Sequence, residues 1–556
     1  MGQPKGPTEL VLLPLGGAGE IGMNCYLYGV GDWRRRQYVM IDCGVKFGDE
    51  REPGIDIVLP DIAYAEGERR NVLAIVLTHA HEDHIGALPW LWKRLGAPVY
   101  CTPFTAALVQ NKLEEHGLAG DVPLRVIPMK GRFTVGPFDL EYVSVSHSIP
   151  EPNAVVIRTS AGTVVHSGDW KIDPTPSIPP VMDEPRLRAI GEEGVDALVC
   201  DSTNALRSGF SPSEKAIGEE LARVIAEAKH RVAVTTFASH VGRIDTIARA
   251  ARANGRELVV AGRAMHRVID AARSVGLLHD HTFQGDDAYG YLPRDKVVLV
   301  CTGSQGEPRA AIARIAEGSH PEIELEEGDT VVFSSRNIPG NEKAIGAVIN
   351  GLSAQGIEVI TSDDRPVHTS GHPRQGEILA LYSWLKPRLV VPMHGEMRHL
   401  RRQMQLALDN GVPQSMLALN GQMVRLAPGP AELVDQVPAG TLHVDGRLIV
   451  PADGPAKRRR KMSYAGIVVV SVVIDDNGNL ESAPDVVLSG LPDEDAEGRW
   501  LRDHVLDRID QVLSSMPRAR RRDTAAVVEL LRGAVRKTLE TVWGKKPQCE
   551  VIVHRP

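Results

Sequence analysis

Three histidines and two acidic residues occupy six consecutive positions in the stretch LTHAHEDHIGALP (77–89), where His79, His81, Asp83 and His84 follow the apolar run NVLAIVLT. The run predicts a buried strand and IGALP predicts the start of a helix, so the cluster lies on a strand-to-helix turn. Imidazole and carboxylate groups that converge on one turn suit zinc, manganese or iron. The alternative is a solvated loop with chance histidines, and a metal site explains the density of polar groups better.

Further candidate ligands stand at the ends of apolar runs later in the chain. His147 ends LEYVSVSH, Asp169 ends TVVHSGD and His394 ends LVVPMH. Each is ambiguous alone, because a single histidine is more often a satisfied core or surface residue. Their shared placement after predicted strands indicates that they meet the first cluster at one edge of a sheet.

Composition bounds the class of protein. The chain has 556 residues, 43% of them hydrophobic and 24% charged, so it should form several domains. The net charge of −8 gives no general attraction to nucleic acid, although a basic groove can lie on an acidic protein. The six cysteines are scattered without a CxxC pair, which predicts reduced, buried thiols.

The N-terminal stretch MGQPKGPTELVLLPLGG lacks the basic start and long apolar core of a secretory signal. No stretch reaches the roughly 18 apolar residues that a membrane-spanning helix needs. We therefore expect a cytoplasmic protein with no membrane partner.

The rhythm of strands and helices divides the chain. Residues 1–205 and 366–447 alternate short strands with turns. Residues 206–365, which lie between them, alternate strands with helices, and this alternation predicts a parallel sheet. A linker rich in Pro, Gly and charge (PADGPAKRRRK) precedes a compact α/β unit with an Asn477-Gly478 hairpin turn and helices near 500–515 and 524–543. The predicted segments are 1–205, 206–365, 366–447, the linker 448–462, and 463–556.

HAHEDH, His147, Asp169 and His394 in this order resemble the metallo-β-lactamase fold, an αββα sandwich with a dinuclear metal site at one edge. The resemblance implies two divalent ions, zinc first, with manganese or magnesium also compatible. It implies the following assignment: His79, His81 and His147 for one ion, Asp83, His84 and His394 for the other, and Asp169 bridging both. Asp42, in MIDCG, would support the ligands from behind.

The segment inserted before the last ligand is similar to the β-CASP domain of nucleic-acid-processing enzymes. Its three motif positions match Asp201 in CDSTN, His372 in HTSGH and His394 in MHGE. The strings GGAGEIGMN, HSGDWKID, CTGSQGEP, IPGNE and HTSGHPRQGE, with the order of domains, resemble the bacterial ribonuclease J family. His240 and the pair Arg336-Asn337 depart from that pattern on the side of the insertion expected to face RNA.

The resemblance implies a metal-dependent ribonuclease for RNA maturation and decay, with 5′-to-3′ exonuclease activity on 5′-monophosphate ends and endonuclease activity. Two metals can share a hydroxide, lower the pKa of that water and clamp a phosphate oxygen. The departing 3′-oxygen needs a proton, and we expect His372, oriented by Asp201, to supply it. Asp83 is a further catalytic candidate. The alternative for His372 is a structural histidine that bonds its own loop.

The loop Ser370-Gly371-His372 has small residues and backbone N–H groups that can cradle a phosphate. Other candidate RNA contacts are His368, Ser239, Arg243, Ser335 and Arg336. For Ser239, Arg243, Ser335 and Arg336 the alternative is ordinary helix caps and surface charge. The Gly-rich GGAGEIG lacks the Lys-Ser/Thr of a P-loop, so it predicts a tight turn near the metals instead of a nucleotide site.

The expected partner is single-stranded RNA, with a homodimer or tetramer formed through the C-terminal segment and RNA-decay proteins as further partners. Three rival functions stay open: a DNA nuclease on the same scaffold, a small-molecule hydrolase of lactam or thioester type, and a scaffold that has lost its metals. Only contacts to the 2′-OH would separate RNA from DNA, and the sequence does not display them. The insertion argues against a small-molecule hydrolase, and the complete ligand set argues against an inactive scaffold.

Overall fold

The computed structural model describes residues 8–338 and 340–556. Residues 1–7, at the start of the stretch examined for a secretory signal, and Pro339 of the IPGNE motif lie outside the described residues. The chain forms two compact units: unit 1 is Met1–Lys46 with Val58–Thr441, and unit 2 is Phe47–Ile57 with Leu442–Pro556. Within the described residues, no helix combines the length and apolar character needed to cross a membrane.

Two sheets built from the short apolar runs form the centre of unit 1. The first has the spatial order Glu432–Gln436, Gln422–Ala427, Glu9–Gly16, Cys25–Gly31, Gln37–Ile41, Val72–Val76, Val99–Cys101, Leu124–Val126. The second has the order Arg132–Val135, Phe138–Ser144, Asn153–Thr159, Gly162–His166, Ala197–Asp201, Leu389–Met393, Gln414–Ser415. Buried Tyr26 and Val39 of the first sheet share one apolar cluster with Leu140 and Val155 of the second, so the sheets pack face to face.

Helices cover the other face of the second sheet. Val165, Leu198 and Val390 alternate with the residues that face the first sheet, and they pack against Ile190 and Leu381 from two of those helices. The helices of this part of unit 1 are Ala63–Gly67, Glu82–Ile85, Leu88–Leu95, Pro103–Glu115, Glu184–Glu193, Gln375–Leu385 and Met397–Asp409.

The strand–helix alternation in the middle of the chain forms a separate five-stranded sheet in unit 1. Its order is Glu257–Ala261, Val297–Cys301, Val232–Thr235, Thr330–Phe333, Glu358–Ile360, and every pair is parallel, which confirms the predicted parallel sheet. Its helices are Glu214–Glu227, Val241–Ala253, Arg263–Ser274, Ala311–Ala316 and Glu342–Ala354, with 3₁₀ turns Asp286–Tyr291 and Arg294–Lys296. Ser213 caps the first helix, where its Oγ accepts a hydrogen bond from the Ala216 N–H at 3.2 Å.

Unit 2 contains the C-terminal α/β fold that the sequence predicts. Strand Ile467–Val473 pairs antiparallel with Asp485–Ser489 and parallel with Gln548–His554. Helices Leu501–Ser515 and Thr524–Trp543 bury their apolar stripes on one face of this sheet. The Asn-Gly turn is present: Gly478 has φ +82°, and its N–H donates to the Asp475 carbonyl at 2.9 Å.

The segment 448–462, predicted as a linker, has regular structure instead. It contains strand Leu448–Pro451, which pairs with Thr441–Asp445, and most of helix Pro455–Ala465. Pro455 stands at the first turn of this helix, where its missing N–H costs nothing. Arg459 of this helix pairs with Asp445 at 2.5 Å, and this ion pair connects the helix to strand Thr441–Asp445. The other short strands are Ala18–Gly19, Lys46–Phe47, Ile57–Pro60, Gly395–Glu396 and the last short helix is Arg518–Arg521.

Candidate metal centre

The predicted ligands meet at one edge of the two stacked sheets. His79 follows strand Val72–Val76, Asp169 follows Gly162–His166 and His394 follows Leu389–Met393. The strands that lead to Asp169, Asp201 and His394 are parallel neighbours, so their carboxyl ends open on the same side. His394, with φ +50°, adopts a left-handed conformation that non-glycine residues take only uncommonly.

One group of side chains comprises His79, His81, His147 and Asp169, whose ligand atoms all lie within 4.8 Å of one another. His81 Nδ1 is 3.1 Å from both His79 Nε2 and His147 Nε2. Three ring nitrogens this close cannot all be satisfied by sharing protons, because a neutral ring offers one donor and one acceptor. Their lone pairs suit a cation between them, in the nitrogen-rich geometry that zinc takes in proteins.

The second group comprises Asp83, His84, Asp169 and His394. His394 Nε2 is 3.1 Å from Asp83 Oδ2, and His84 Nε2 is 3.2 Å from Asp169 Oδ2. Asp169 belongs to both groups, and its Oδ1 is buried without a hydrogen-bond partner among the described residues. A buried anionic oxygen without a donor is costly, so this atom fits a site for a divalent cation.

In four of the histidines, Nδ1 points away from the metal centre and is within hydrogen-bond distance of another residue. These contacts fix the orientation of the rings. The contacts are His79 Nδ1 with Thr78 Oγ1 at 2.9 Å, His84 Nδ1 with Asp42 Oδ2 at 2.7 Å, His147 Nδ1 with the Gly371 carbonyl at 2.7 Å, and His394 Nδ1 with Thr203 Oγ1 at 2.7 Å. Asp42 also accepts from the Thr78 N–H at 2.8 Å, so it contacts a candidate ligand and not the ion position.

Burial keeps the first group of histidines neutral. Burial and then the nearby His84 and His81 hold the pKa of His79 well below its ordinary value. Burial and then His81 do the same for the pKa of His147. Neutral imidazole is the form that binds a metal ion, so the group is prepared for one.

The cysteines contribute no ligand to this centre. All six are free and buried, as the sequence predicts. Burial and then the Asp42 carboxylate raise the pKa of Cys43 to about 12, so its sulfur stays a thiol. The donor set of imidazole nitrogens and carboxylate oxygens fits zinc and also accommodates manganese.

His372 lies beside the two ligand groups and is oriented by Asp201. Its Nδ1 is 2.8 Å from Asp201 Oδ2 and 3.8 Å from Asp169 Oδ2, and its ring stacks on His394 at 5.4 Å between centroids. Burial acts to lower the pKa of His372, but Asp201 and then Asp169 outweigh it, so the pKa lies above its ordinary value. Since Nδ1 faces Asp201, Nε2 is the ring atom left to meet a substrate.

The structure adds three contact residues that the sequence reasoning missed. Thr203 Oγ1 donates to Asp201 Oδ1 at 2.7 Å and lies 2.7 Å from His394 Nδ1. One hydroxyl therefore connects His394 to Asp201, the partner of His372. Asn204 Nδ2 donates to the His372 carbonyl at 3.1 Å. Asn24 Nδ2 is 3.0 Å from His84 Nε2. All three lie inside quoted motifs, but short polar residues are so common in turns that their type alone gives no signal.

The Gly-rich loop lies beside His394. The short strands Ala18–Gly19 and Gly395–Glu396 pair in parallel, and the His394 N–H donates to the Gly17 carbonyl at 2.7 Å. Gly17 has φ +83°, a conformation for which glycine is suited. The loop therefore makes the tight turn near the ligands that the sequence predicts.

Several polar groups of the loop that carries His372 are hydrogen-bonded within the protein. The Gly371 carbonyl is bonded by His147, and Ser370 Oγ accepts from Asn204 Nδ2 at 2.9 Å. The His372 N–H donates to Ser370 Oγ at 3.3 Å. The groups of this loop thus hold the catalytic candidates in place, and a phosphate-binding role of the loop stays a prediction.

Arg243 does not lie where a phosphate could reach it, which corrects the sequence prediction. The side chain is fully buried, with Nη2 2.8 Å from Glu214 Oε2 and Nη1 3.2 Å from the Val367 carbonyl. His240 is buried 3.3 Å from the same glutamate, so this departure from the family pattern does not face RNA.

The remaining candidate RNA contacts divide between interior and surface. Ser335 is buried and bonds the Ser304 carbonyl at 3.4 Å, so its predicted contact with RNA is also corrected. His368 is half-buried, and burial and then Arg243 hold its pKa well below the ordinary value. Ser239 is partly exposed before helix Val241–Ala253, and Arg336 is exposed.

Four family models match the chain. They are the metallo-beta-lactamase superfamily (18–188), the ribonuclease J beta-CASP domain (229–352), the Zn-dependent metallo-hydrolase RNA specificity domain (364–414) and the ribonuclease J C-terminal domain (456–556). These matches confirm the predicted fold class, a metallo-β-lactamase domain with a β-CASP insertion and a C-terminal domain. The segment boundaries stay predictions.

Relatives match over nearly the whole chain. A ribonuclease J of Sinorhizobium meliloti is 52% identical over 98% of this chain and 97% of its own. A ribonuclease J of Mycobacterium tuberculosis is 38% identical over 98% of this chain and 97% of its own. A crystal structure of an Enterococcus faecalis protein of unknown function superposes with a TM-score of 0.53 at 15% identity, over 75% of this chain and 100% of its own. That last likeness concerns the fold alone.

Proposed function

The chain belongs to the ribonuclease J family, and we propose that it is a metal-dependent ribonuclease that hydrolyses RNA phosphodiester bonds. We further propose 5′-to-3′ exonuclease activity that prefers 5′-monophosphate ends, together with endonuclease activity, in the maturation and decay of RNA. The observation that carries the proposal is the pair of ligand groups that share Asp169, with His372 and Asp201 beside them.

The ligand groups would hold two divalent ions, with zinc as our first choice and manganese or magnesium as alternatives. His79, His81 and His147 would hold one ion, Asp83, His84 and His394 the other, and Asp169 would bridge them. Two ions held this way supply an activated water and neutralise charge on a phosphate oxygen.

The residues beside the ions would handle the protons. Asp83, whose side chain is 30% exposed and whose Oδ2 lies 3.1 Å from His394 Nε2, would accept a proton from the attacking water. The water oxygen bonds to phosphorus, and the bond from phosphorus to the 3′-oxygen breaks. His372 Nε2 gives its proton to that departing 3′-oxygen, while Asp201 holds the opposite ring nitrogen. The products are a 3′-hydroxyl and a downstream 5′-phosphate.

The match to an RNA specificity domain over 364–414 supports RNA as the substrate, because it encloses both His372 and His394. Contacts to the 2′-OH distinguish RNA from DNA at a site, so matched RNA and DNA strands test this part of the proposal. Single-stranded RNA is the proposed partner. Assembly through the C-terminal segment, contact with RNA-decay proteins and a cytoplasmic location are also proposals.

The deciding experiment uses the purified full-length protein and one single-stranded RNA with either a 5′-monophosphate or a 5′-triphosphate. With manganese or zinc present, we expect mononucleotides mainly from the monophosphate form. Removal of the ions with a chelator, or the substitution His81→Ala, should abolish the products. Internal fragments from both RNAs would make the enzyme chiefly an endonuclease.

Two controls separate the rival functions. A DNA strand of the same sequence should be cleaved much more slowly, and equal or faster cleavage of DNA would favour a DNA nuclease. A chromogenic lactam should be stable, and its hydrolysis without action on RNA would favour a small-molecule hydrolase. Intact RNA in the presence of bound metal would contradict the ribonuclease proposal.

A further inference from the structure

Unit 2 contains a cavity between its hairpin turn and helix Leu501–Ser515. The cavity has a volume of about 200 Å³. A cavity of about 10–15 Å³ already holds one water molecule, so this one has room for a ring-sized ligand. Leu480 and Leu513 form apolar walls, and the polar lining residues are Asn479, Asp510, Ser514 and Arg521. Apolar walls with a few polar groups are typical of sites for small molecules.

One wall of the cavity is the short helix Arg518–Arg521, which is bonded to the hairpin turn. Arg555 connects the two: its Nη1 donates to the Asp475 carbonyl at 3.0 Å, and its Nη2 donates to the Arg521 carbonyl at 2.6 Å. Arg521 Nε donates to the Met516 carbonyl at 3.0 Å, which fixes the start of its guanidinium group. The cavity is therefore formed by contacts within the protein, and a ligand would not have to order it.

Two opposite charges line the cavity without pairing. On the same helix, Asp507 forms an ion pair with Arg499. Within residues 8–338 and 340–556, by contrast, neither the Asp510 carboxylate nor the two Nη atoms of Arg521 have a hydrogen-bond or ion-pair partner. Asp510 is exposed and Arg521 is partly exposed, so both can be reached from solvent. A ligand in the cavity can donate to the carboxylate and accept from the guanidinium at once.

The pattern of donors and acceptors selects one kind of ring. A carboxylate has two acceptor oxygens side by side, and guanine is the nucleobase with two adjacent N–H donors, N1–H and N2–H. Guanine also has O6 and N7, which accept from a guanidinium group. Adenine and cytosine offer a carboxylate one amino group and uracil offers one ring N–H, so these bases match Asp510 less well.

The surroundings of Arg521 favour a ligand that carries phosphate. Its neighbours Arg518, Arg520 and Arg522 are exposed, and none of them forms an ion pair in the described part of the chain. This basic run gives a local positive potential on a chain with a net charge of −8. Planar guanidinium groups match the oxygens of a phosphate.

We propose that the cavity of unit 2 binds the base of a guanosine phosphate through Asp510 and Arg521, while the basic run 518–522 binds its phosphate. The ligand is either a free guanine nucleotide or a guanosine within an RNA strand, which present the same base. None of the candidate metal ligands lines this cavity, so it is a second site. The inference goes beyond the proposed function, because it concerns binding and needs no cleavage.

The test measures equilibrium binding of 5′-GMP, 5′-IMP and 5′-AMP to the full-length protein by calorimetry, with a chelator present. IMP is GMP without the 2-amino group. We expect GMP to bind roughly tenfold more tightly than IMP and to exceed AMP by more, because hydrogen bonds to a charged group have effects of this size. Asp510→Asn replaces an acceptor oxygen by a donor group. It should weaken GMP binding roughly tenfold and remove most of the difference between GMP and IMP.

Asp503→Asn is the matched control. It makes the same change on the same helix, about 10 Å before Asp510, at an exposed position that does not line the cavity. The affinity for GMP should stay that of the wild type. Arg521→Ala should also weaken GMP binding roughly tenfold, and its melting temperature checks that the hydrogen bond to Met516 is not needed for folding.

Two RNA strands identify the source of the ligand. One is a short oligouridine with a central guanosine, and the other has adenosine at that position. A preference for guanosine that Asp510→Asn removes supports a site for RNA, whereas the same result with GMP alone supports a site for a free nucleotide.

Equal affinities for GMP, IMP and AMP would overturn the proposal, and so would GMP binding that Asp510→Asn leaves unchanged. Absence of GMP binding together with equal affinity for the two strands would overturn it as well. These results would leave the ribonuclease proposal intact, because cleavage is not measured. Failure of the cleavage assay would likewise leave a guanosine site in unit 2 intact.

Discussion

Unit 1 contains two buried groups of charged side chains that look alike by composition and differ in their contacts. The first is the metal centre. The second, here called the Glu214 cluster, consists of Lys171, Asp173, Glu214, His240 and Arg243, all buried. In the Glu214 cluster each charge meets its opposite: Lys171 Nζ is 2.9 Å from Asp173 Oδ2 and 3.4 Å from Glu214 Oε1.

The metal centre lacks this internal balance. Three imidazole nitrogens of neutral rings face one another, and Asp169 Oδ1 has no donor among the described residues. A divalent cation would complete such a group, whereas the carboxylates of the Glu214 cluster pair with Lys171 and Arg243. The number of buried polar side chains therefore does not mark a reactive site. What marks it is the convergence of ligand atoms around a buried carboxylate oxygen that no protein donor satisfies.

The largest effect is expected from His81→Ala at the metal centre. His81 contacts the two other ligand histidines at 3.1 Å. Its removal takes one of three nitrogen ligands from the first ion position, so RNA cleavage should fall at least roughly 10³-fold, which is about 4 kcal/mol. Metal content per chain, measured by mass spectrometry, should fall as well.

The same variant should leave the stability of the metal-free protein almost unchanged. His81 is half-buried, and in the described part of the chain its side chain hydrogen-bonds only the ligand histidines His79 and His147. The melting temperature in chelator is the control measurement. A large drop there would show that His81 supports the fold, and the contrast between the two clusters would weaken.

The opposite result is expected from Arg243→Ala in the Glu214 cluster. Glu214 is 3% exposed and pairs with Arg243 at 2.8 Å. The substitution therefore leaves a buried carboxylate without its main partner. Breaking a buried ion pair from one side costs about 3–5 kcal/mol of the free energy of unfolding. The urea midpoint should fall accordingly, while activity per folded molecule falls much less.

Arg223→Ala is the matched control for that measurement. Arg223 pairs with Glu220 at 2.7 Å and its side chain is 64% exposed, while the buried Glu220 also pairs with Arg365. An ion pair with so exposed a cation contributes about 0–1 kcal/mol, and Glu220 keeps its second partner, so the urea midpoint should barely move. Equal shifts for the two arginine variants would contradict the assignment of Arg243 to a buried structural cluster.

The two clusters also differ in how far the sequence could predict them. The ligands His79, Asp169 and His394 end apolar runs, and strand ends of the two stacked sheets meet at one edge, so local pattern was enough to propose their meeting. Arg243 was misread because its partner Glu214 lies 29 residues away and nothing local shows that a helix-start arginine is buried.

The same limit applies to the fold. The alternation of strands and helices predicts the parallel sheet of the insertion, and the Asn477-Gly478 pair predicts the hairpin of unit 2. Composition did not indicate the regular structure within 448–462, because it cannot show that Arg459 of helix Pro455–Ala465 pairs with Asp445. Periodicity and turn chemistry are local, whereas ion pairs form between distant parts of the chain.

Gly371→Ala should give the next largest effect, because this position joins the His372 loop to the metal centre. A Cβ there would lie 2.5 Å from His147 Nδ1, and the Gly371 carbonyl accepts from that same nitrogen. The loop must move to relieve the contact, so both a ligand and His372 shift. RNA cleavage should fall roughly 10²-fold, since small displacements of reacting groups have effects of this size.

Gly346→Ala is the control for the glycine substitution. Gly346 lies within helix Glu342–Ala354, and an added Cβ would meet nothing within 4 Å. Alanine at a helix interior should stabilise the protein by up to about 1 kcal/mol and leave cleavage unchanged. Normal cleavage by the Gly371 variant would show that the loop and the ligand His147 are not coupled.

The smallest effect is expected from Thr203→Val, which removes a hydroxyl that contacts both Asp201 and the ligand His394. Thr203 Oγ1 donates to Asp201 Oδ1 and lies 2.7 Å from His394 Nδ1, so it is hydrogen-bonded by protein on both sides and touches a ligand of the metal centre. Loss of such a contact behind a ligand weakens metal binding by roughly tenfold. Valine keeps the shape and removes only the hydroxyl, so metal affinity measured by competition with a chelator isolates this contact.

Thr203→Ser restores the hydroxyl and should restore the affinity for metal. Recovery with serine would show that a hydrogen bond, and not packing of the methyl group, couples Asp201 to His394. Equal affinity of the valine variant and the wild type would instead show that His394 is oriented by its backbone bond to Gly17. In that case the Asp201–His372 pair and the ligand His394 would be oriented independently, even though one threonine touches both Asp201 and His394.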